Sequence, residues 1–127
     1  MKRNRTDGLA DIGCPHSVTL PAGSSISYFS GQTALSPQWQ VQGGDTVLGQ
    51  AEYAVANLKT ALAGIDADAS HVAKLTIYLT EMNIEVSTKL AELLAEHGLG
   101  DCATTVIGVS VIGIGNCMIE IDAIVAK

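Results

Sequence analysis

Hydrophobic and polar residues alternate most regularly over residues 72–80. A period of two places apolar side chains on one face of a β-strand and polar side chains on the other. The segment is therefore predicted to be a strand with one buried face. Its apolar positions are Leu75, Ile77 and Leu79, and its polar positions are Lys74, Thr76, Tyr78 and Thr80.

Two other segments show the three-to-four-residue spacing of amphipathic helices. The first follows Asp45, which we expect to cap it, and stops near Gly64. The second follows Asn83, a second capping residue, and ends before Gly98. The inner face of the first helix consists of Leu48, Ala51, Val55, Leu58 and Leu62, and that of the second of Val86, Leu90, Leu93 and Leu94.

Shorter runs of strand-forming residues complete the pattern. Ser17–Leu20 and Ser25–Ser30 flank a Pro-Ala-Gly-Ser sequence, so they are predicted to form a hairpin. Thr104–Ile112 and Cys117–Val125 are predicted to be the last two strands, joined by a Gly-Ile-Gly-Asn turn. Residues 1–12 are polar and contain glycine, so we expect a flexible segment ahead of one domain at 13–127.

The predicted order of elements is β-β-α-β-α-β-β, which indicates an α/β fold with one mixed sheet. Two helices do not suffice to cover both faces of such a sheet, so we expect them on one face. The other face would expose apolar and small side chains, and large exposed apolar surfaces mark interaction sites. The pattern therefore predicts a homo-oligomer in which other copies cover that face.

Composition narrows the function. A chain of 127 residues with 47% hydrophobic residues fits one folded domain. No apolar run approaches the roughly 18 residues of a spanning helix, so no membrane partner is expected. The net charge is −6, and both arginines, Arg3 and Arg5, lie at the N-terminus. An acidic body without arginine binds phosphate poorly, so nucleic acid is not expected as a partner.

The cysteines bear on compartment and metal binding. Cys14, Cys102 and Cys117 are odd in number and far apart, and no secretory signal follows the first residues. Their spacing matches no zinc pattern. We therefore expect a reduced, cytoplasmic protein without a metal site.

The last predicted strand carries the most informative polar residues. Glu120 and Asp122 lie on one face of it, about 7 Å apart, because they are two residues apart in a strand. Burial and a neighbouring carboxylate both raise the pKa of a carboxyl group. Glu120 is therefore a candidate for proton transfer near neutral pH. The alternative is an ordinary solvated or interfacial strand face.

Two further positions have chemical potential. Gly31 follows Ser30 at the end of a predicted strand, where a glycine allows a ligand to approach the backbone and exposed N–H groups to bind an oxyanion. The alternative is a simple strand-ending turn. His16 is a candidate acid or base, although a lone histidine is more often structural.

Several blocks of the chain, taken together, resemble the Rid family (YjgF-like, reactive intermediate deaminases), from about Gly13 to Ala126. They are Ser30–Thr33, Gln50 with Asn57-Leu58, Lys74–Thr80 and Ile119–Ala123. The resemblance implies a chorismate-mutase-like fold and a homotrimer with three clefts between subunits. It also implies hydrolysis of 2-imino or 2-enamino acids to 2-oxo acids and ammonia, without a cofactor. Glu120 would position the attacking water, and Ser30 and Gly31 would line the cleft.

The chain departs from the family pattern at three positions. Deaminating members clamp the substrate carboxylate with an arginine, but Thr104 stands at that position here, followed by Thr105. His16 replaces a tyrosine, and Lys89 replaces an asparagine of the second helix. A threonine hydroxyl makes no bidentate charged contact, so activity on ordinary 2-imino acids is expected to be weak. Lys89 is the first candidate to bind a carboxylate instead.

Three hypotheses follow. The first is an enzyme that acts on an imine, enamine or related conjugated small molecule, with Glu120 and His16 as catalytic groups and Thr104 and Thr105 as hydrogen-bond donors. Hydrolysis is the default reaction, and tautomerisation or dehydration are alternatives. The second is a non-catalytic trimer that binds a small molecule or regulates. The third, a ribonuclease, is disfavoured by the net charge of −6.

Overall fold

A computed structural model describes all 127 residues, in two helices, one short 3-10 turn and six strands. The strands form a two-stranded sheet and a mixed four-stranded sheet. The elements are β1 (Lys2–Asn4), β2 (Ser17–Thr19), β3 (Ile26–Gln32), α1 (Val47–Ala63), the 3-10 turn (Ala69–His71), β4 (Val72–Leu79), α2 (Ile84–Glu96), β5 (Ala103–Gly108) and β6 (Ile119–Ala126).

The four-stranded sheet has the order β3-β6-β4-β5. Strand β6 is antiparallel to both of its neighbours, and β5 is parallel to β4. Both predicted hairpins are therefore wrong, because β2 pairs with β1 and β6 pairs with β3 and β4. The last strand alternates buried and half-buried residues along its length, whereas most of β5 is exposed. The more apolar strand thus occupies the centre of the sheet and the more polar strand its edge.

Both helices pack on one face of this sheet, as the sequence predicts. Their inner stripes join the apolar residues of β4 and β6 in one core, which includes Leu58, Leu75 and Ile121, each fully buried. Asn83 caps α2 by accepting a 2.8 Å hydrogen bond from the Val86 N–H. The predicted cap at Asp45 is wrong by one residue, because Thr46 accepts the bond from Gly49. Neither helix is long and apolar enough to cross a membrane.

The N-terminal segment has more structure than its composition indicates. Residues 1–12 are expected to be flexible, yet Lys2–Asn4 form β1 against β2. The Arg3 side chain donates hydrogen bonds to the backbone carbonyls of Asp101 and Ser70 and forms an ion pair with the Asp101 carboxylate. Strand β1 and the Arg3 side chain thus have partners far away in the sequence, which a local sequence pattern does not predict.

The face of the four-stranded sheet opposite the helices is here called the open face. On β4 and β6 it is mostly polar, with Glu120 and Asp122 beside Ile124, and it is thus more polar than the sequence predicts. On β3 it carries the exposed Tyr28 and Ile26, whose exposed fractions are 78% and 45%. No other part of the chain pairs with the outer edges of β3 and β5. Strands usually have such edges covered or blunted. The open face and its two edges are therefore the surfaces that a further copy of the chain would cover.

Candidate functional site

Glu120 and Gly31 are in direct contact at the boundary between β3 and β6. Glu120 lies on the open face, and the pairing of the two strands shifts register between Phe29 and Gln32, where Gly31 lies. An ideal Cβ at position 31 would lie 2.5 Å from Cδ of Glu120 and still closer to Oε1. Only glycine therefore leaves room for the carboxyl group in this position.

The surroundings of Glu120 favour its neutral form. Burial raises the pKa of Glu120, and the negative charge of Asp122 raises it further. None of the ion pairs in the protein involves Glu120 or Asp122. A carboxyl group with a raised pKa is able to donate a proton and take one back within one reaction cycle.

Helix α1 holds the two chain segments that bring Glu120 and Gly31 together. The buried Gln50 amide donates to the carbonyls of Gly44 (2.9 Å) and Asn116 (3.2 Å), and its oxygen accepts from the Met118 N–H at 2.8 Å. These bonds fix the chain just before β6. Seven residues further along the helix, the Asn57 amide donates to the carbonyls of Thr33 and Leu35 at 2.7 and 2.9 Å.

Gln50 and Asn57 therefore position the site without touching it. The sequence contains a sign of this role. Gln50 and Asn57 are seven residues apart, so they share one face of the helix, and both are polar residues within an apolar stripe. Buried polar groups in such a stripe need fixed partners. From the sequence, Gln50 and Asn57 are identified only among the residues that resemble the family, and their positioning role is not predicted.

Replacement of Gln50 by Ala is expected to destabilise the protein by about 2–4 kcal/mol. The backbone groups of Gly44, Asn116 and Met118 would lose their hydrogen-bond partner, and each buried group left unpaired costs roughly 1–3 kcal/mol. Urea unfolding measures this loss directly. Gln38→Ala is the matched control, since Gln38 is exposed and its side chain makes no hydrogen bond. We expect it to change stability by less than about 0.5 kcal/mol. Equal effects of the two changes would contradict the positioning role of Gln50.

The other predicted site residues are divided between the two faces of the sheet. Ser30 is exposed near the end of β3, where it precedes Gly31 in the chain. Thr105 also lies on the open face, where it accepts a hydrogen bond from Lys74. Thr104 lies on the helix side and donates to the Cys102 carbonyl at 3.2 Å. Thr104 and Thr105 therefore face opposite sides of the sheet, because successive side chains of a strand point to opposite faces.

His16 and Lys89 also lie away from Glu120 within one copy. The His16 ring accepts a hydrogen bond from the Thr6 N–H at 2.8 Å, and its other nitrogen lies 2.9 Å from the Ala10 carbonyl oxygen. The exposed Lys89 forms a 2.9 Å ion pair with Glu85 on α2. Backbone groups therefore engage the His16 ring, and the Glu85 carboxylate engages the Lys89 ammonium group. Neither residue joins the open-face site of its own chain.

An apolar cavity of about 340 Å³ lies on the helix side of β5. It is walled by α2, by the helix-facing side chains of β5 and by residues 12–14, including Cys14, Leu90, Leu94, Leu99, Thr104 and Val106. All three cysteines are free, and no cluster of three or more His, Cys, Asp or Glu residues is placed to hold a metal ion.

Comparison with known proteins agrees with this architecture. The family model for endoribonuclease L-PSP matches residues 17–127. Similar solved structures include the Rid-family protein YyfB from Yersinia pestis, at 23% identity and a TM-score of 0.88, covering 98% of this chain and 96% of that one. RidA from a Psychrobacter species has 20% identity and a TM-score of 0.69, covering 99% and 94%. Yeast Mmf1 has 18% identity and a TM-score of 0.69, covering 98% and 91%.

At these identities the structures establish the fold alone, and no curated protein matches the chain significantly. The family model, in contrast, spans nearly all of the sequence. It includes both strands that meet at Glu120 and Gly31, and the helix that holds them. The chain therefore belongs to the endoribonuclease L-PSP family, which is the YjgF/Rid family.

Proposed function

We propose that this protein hydrolyses an imine or enamine to a carbonyl compound and ammonia, in clefts between the copies of a homotrimer. Family membership supports a role in processing or binding small molecules. The observation that carries the proposal is the Glu120 carboxyl group, which has a raised pKa and lies in space that only the glycine at position 31 leaves free. Ser30 precedes Gly31 and is exposed, so its hydroxyl group is proposed to contact the ligand.

The reaction uses one carboxyl group as acid and base in turn. Protonated Glu120 donates its proton to the imine nitrogen, which makes the carbon more electrophilic. Water adds to that carbon and gives a proton to the Glu120 carboxylate, forming a carbinolamine. Glu120 then protonates the nitrogen, ammonia leaves, and the hydroxyl proton returns to Glu120 as the carbonyl forms. One imine and one water thus give one carbonyl compound and one ammonia, and Glu120 is regenerated.

The trimer is part of this proposal. A second copy would cover the open face and its unpaired edges, where Tyr28 is exposed. Thr104 remains a candidate in this arrangement, because it lines the cavity beside the edge strand β5. His16 and Lys89 remain candidates only by their nearness in sequence to Cys14 and Leu90, which line the same cavity. We propose that this wall of one copy faces Glu120 of the next and that the site is incomplete in a single chain.

Sedimentation equilibrium is expected to give a mass about three times the 13.1 kDa of the chain at micromolar concentration. The physical reason is the uncovered sheet face, whose burial would remove Tyr28 and Ile26 from water. A Tyr28→Asp variant is expected to shift the equilibrium towards smaller species. A wild-type protein that remains monomeric under these conditions would exclude a cleft between copies.

Substrate charge provides the test of the reaction. No arginine follows Arg5, so a charged contact to a substrate carboxylate, about 1.5–3 kcal/mol, is missing. We expect 2-iminopropionate, generated by an amino-acid oxidase, to be hydrolysed roughly 10–100-fold more slowly than an uncharged imine generated by an amine oxidase. A preference for 2-iminopropionate would mean that another group binds the carboxylate. Lys89→Met would then be the first variant to examine.

The alternative function is a non-catalytic trimer that binds a small molecule in the same clefts. The absence of an arginine after Arg5 favours this alternative. A cleft without the arginine that binds a substrate carboxylate is able to keep its shape and bind a ligand after catalysis is lost. Such a protein would bind imine-like ligands without turnover. A ribonuclease is not proposed, because a net charge of −6 and a body without arginine after Arg5 disfavour phosphate binding.

A further inference from the structure

Tyr78 links Glu120 to Asp122 across two strands of the open face. It is the residue of β4 directly opposite Glu120 of β6. Its hydroxyl donates a hydrogen bond to Oδ2 of Asp122 at 3.3 Å, one pleat further along β6. The charge of Asp122 raises the pKa of the Tyr78 hydroxyl, so this group keeps its proton and remains a donor at neutral pH. The sequence gives no sign of this contact, because the two residues are 44 positions apart.

Asp122 is the charged side chain that acts on Glu120 within the chain. From β3, Glu120 faces Gly31, which carries no charge. From β4, it faces Tyr78, and the helices lie on the other side of the sheet. The nearest lysine on the open face, Lys74, lies opposite Ile124 and donates to Thr105 instead.

We propose that Asp122, held in place by the Tyr78 hydroxyl, is a positioning residue that keeps the proton on Glu120, so that Glu120 enters the reaction as an acid. This inference rests on the proposed function. Two carboxyl groups so close together do not ionise independently, and the ionised state of one favours the protonated state of the other. The hydrogen bond from Tyr78 holds the Asp122 carboxylate on the open face, on the same face of β6 as Glu120.

The same arrangement defines a substrate class. Proton transfer from Glu120 to an imine creates a cationic iminium beside two carboxylates, Glu120 and Asp122. Their field stabilises that cation and opposes a substrate that carries its own carboxylate. We therefore assign to this site a neutral imine or enamine that becomes cationic during the reaction.

A carboxyl-detected NMR titration of the 13C-labelled protein tests the role of Asp122 without any substrate. Asp122→Asn is expected to lower the pKa of Glu120 by roughly one unit, since one nearby charge is removed at nearly constant shape. Tyr78→Phe is expected to lower the pKa of Glu120 by a smaller amount, because Asp122 keeps its charge but loses the hydrogen bond that holds it. Asp7→Asn, an equal change of charge at an exposed N-terminal position, is expected to leave it unchanged.

The pH profile of imine hydrolysis is the second readout. Loss of activity at high pH is expected to begin about one unit lower in Asp122→Asn, whereas Asp7→Asn is expected to leave the profile unchanged. A Glu120 pKa that moves by less than 0.2 units in the folded variant, where about one unit is expected, would overturn the inference.

If Glu120→Gln abolishes hydrolysis but Asp122→Asn leaves the pH profile and the Glu120 titration unchanged, the inference fails and the proposed function stands. If Glu120→Gln leaves hydrolysis unchanged, the proposed function itself fails.

Discussion

Glu120→Gln is expected to reduce kcat for imine hydrolysis by about 10²–10⁴-fold, the usual contribution of a general acid and base. The amide keeps the shape of the side chain but neither donates a proton to the imine nitrogen nor takes one from water. The fold is expected to survive because Glu120 lies outside the buried core. The trimer is expected to survive because the amide keeps the shape of the side chain. Steady-state ammonia release and sedimentation measure the two effects separately.

The matched control for this variant is Glu81→Gln. Glu81 is exposed after β4 and makes no ion pair, so the same chemical change there is expected to leave kcat within twofold of wild type. An unchanged kcat in Glu120→Gln would favour the non-catalytic binding trimer. A loss of activity explained entirely by unfolding would make Glu120 a structural carboxylate.

Gly31→Ala is expected to lower kcat by about 10²-fold, which is the cost of misplacing a reacting group by roughly 1 Å. The added methyl group would overlap the end of the Glu120 side chain, which is flexible and able to rotate away. We therefore expect a displaced carboxyl group in a protein whose unfolding free energy changes by less than about 1 kcal/mol. Kinetics and urea unfolding of the same sample give both values.

Gly113→Ala controls for the loss of a glycine, because a Cβ at position 113 meets no atom within 4 Å. It is expected to change neither rate nor stability. The double variant Gly31→Ala, Glu120→Gln is expected to be no slower than Glu120→Gln alone, since both changes remove the same carboxyl function. Additive losses would show that Gly31 acts on something other than Glu120.

Local pattern predicted most of the elements but not all of their partners. The alternation over residues 72–80 and the two apolar stripes predict β4, α1 and α2 close to their observed bounds. The strand pairing depends instead on which strand is most apolar, and this places β6 at the centre of the sheet between β3 and β4. A turn-forming sequence between two strands does not show that they are neighbours, as the separation of β5 from β6 demonstrates.

Candidate site residues come from the sequence where one residue carries the signal. A carboxyl group in an apolar strand makes Glu120 a candidate and the Ser-Gly sequence makes Gly31 one, and the structure brings the two into contact. Period-two alternation would have separated Thr104 from Thr105, because it assigns neighbours to opposite faces. The hydrogen bond from Tyr78 to Asp122 joins two strands whose register no single-strand pattern contains. The hydrogen bonds of His16 depend in the same way on the path of the N-terminal segment.

The number of turnovers per chain distinguishes an enzyme from a protein that only binds an imine. An uncharged imine is supplied in large excess over the purified wild-type protein at neutral pH, and ammonia and carbonyl product are measured together over time. We predict equal amounts of the two products, many equivalents per chain, above the rate of spontaneous hydrolysis. Imine decay no faster than in buffer, or one equivalent per chain at most, would contradict an enzyme and identify the open-face site as a binding site.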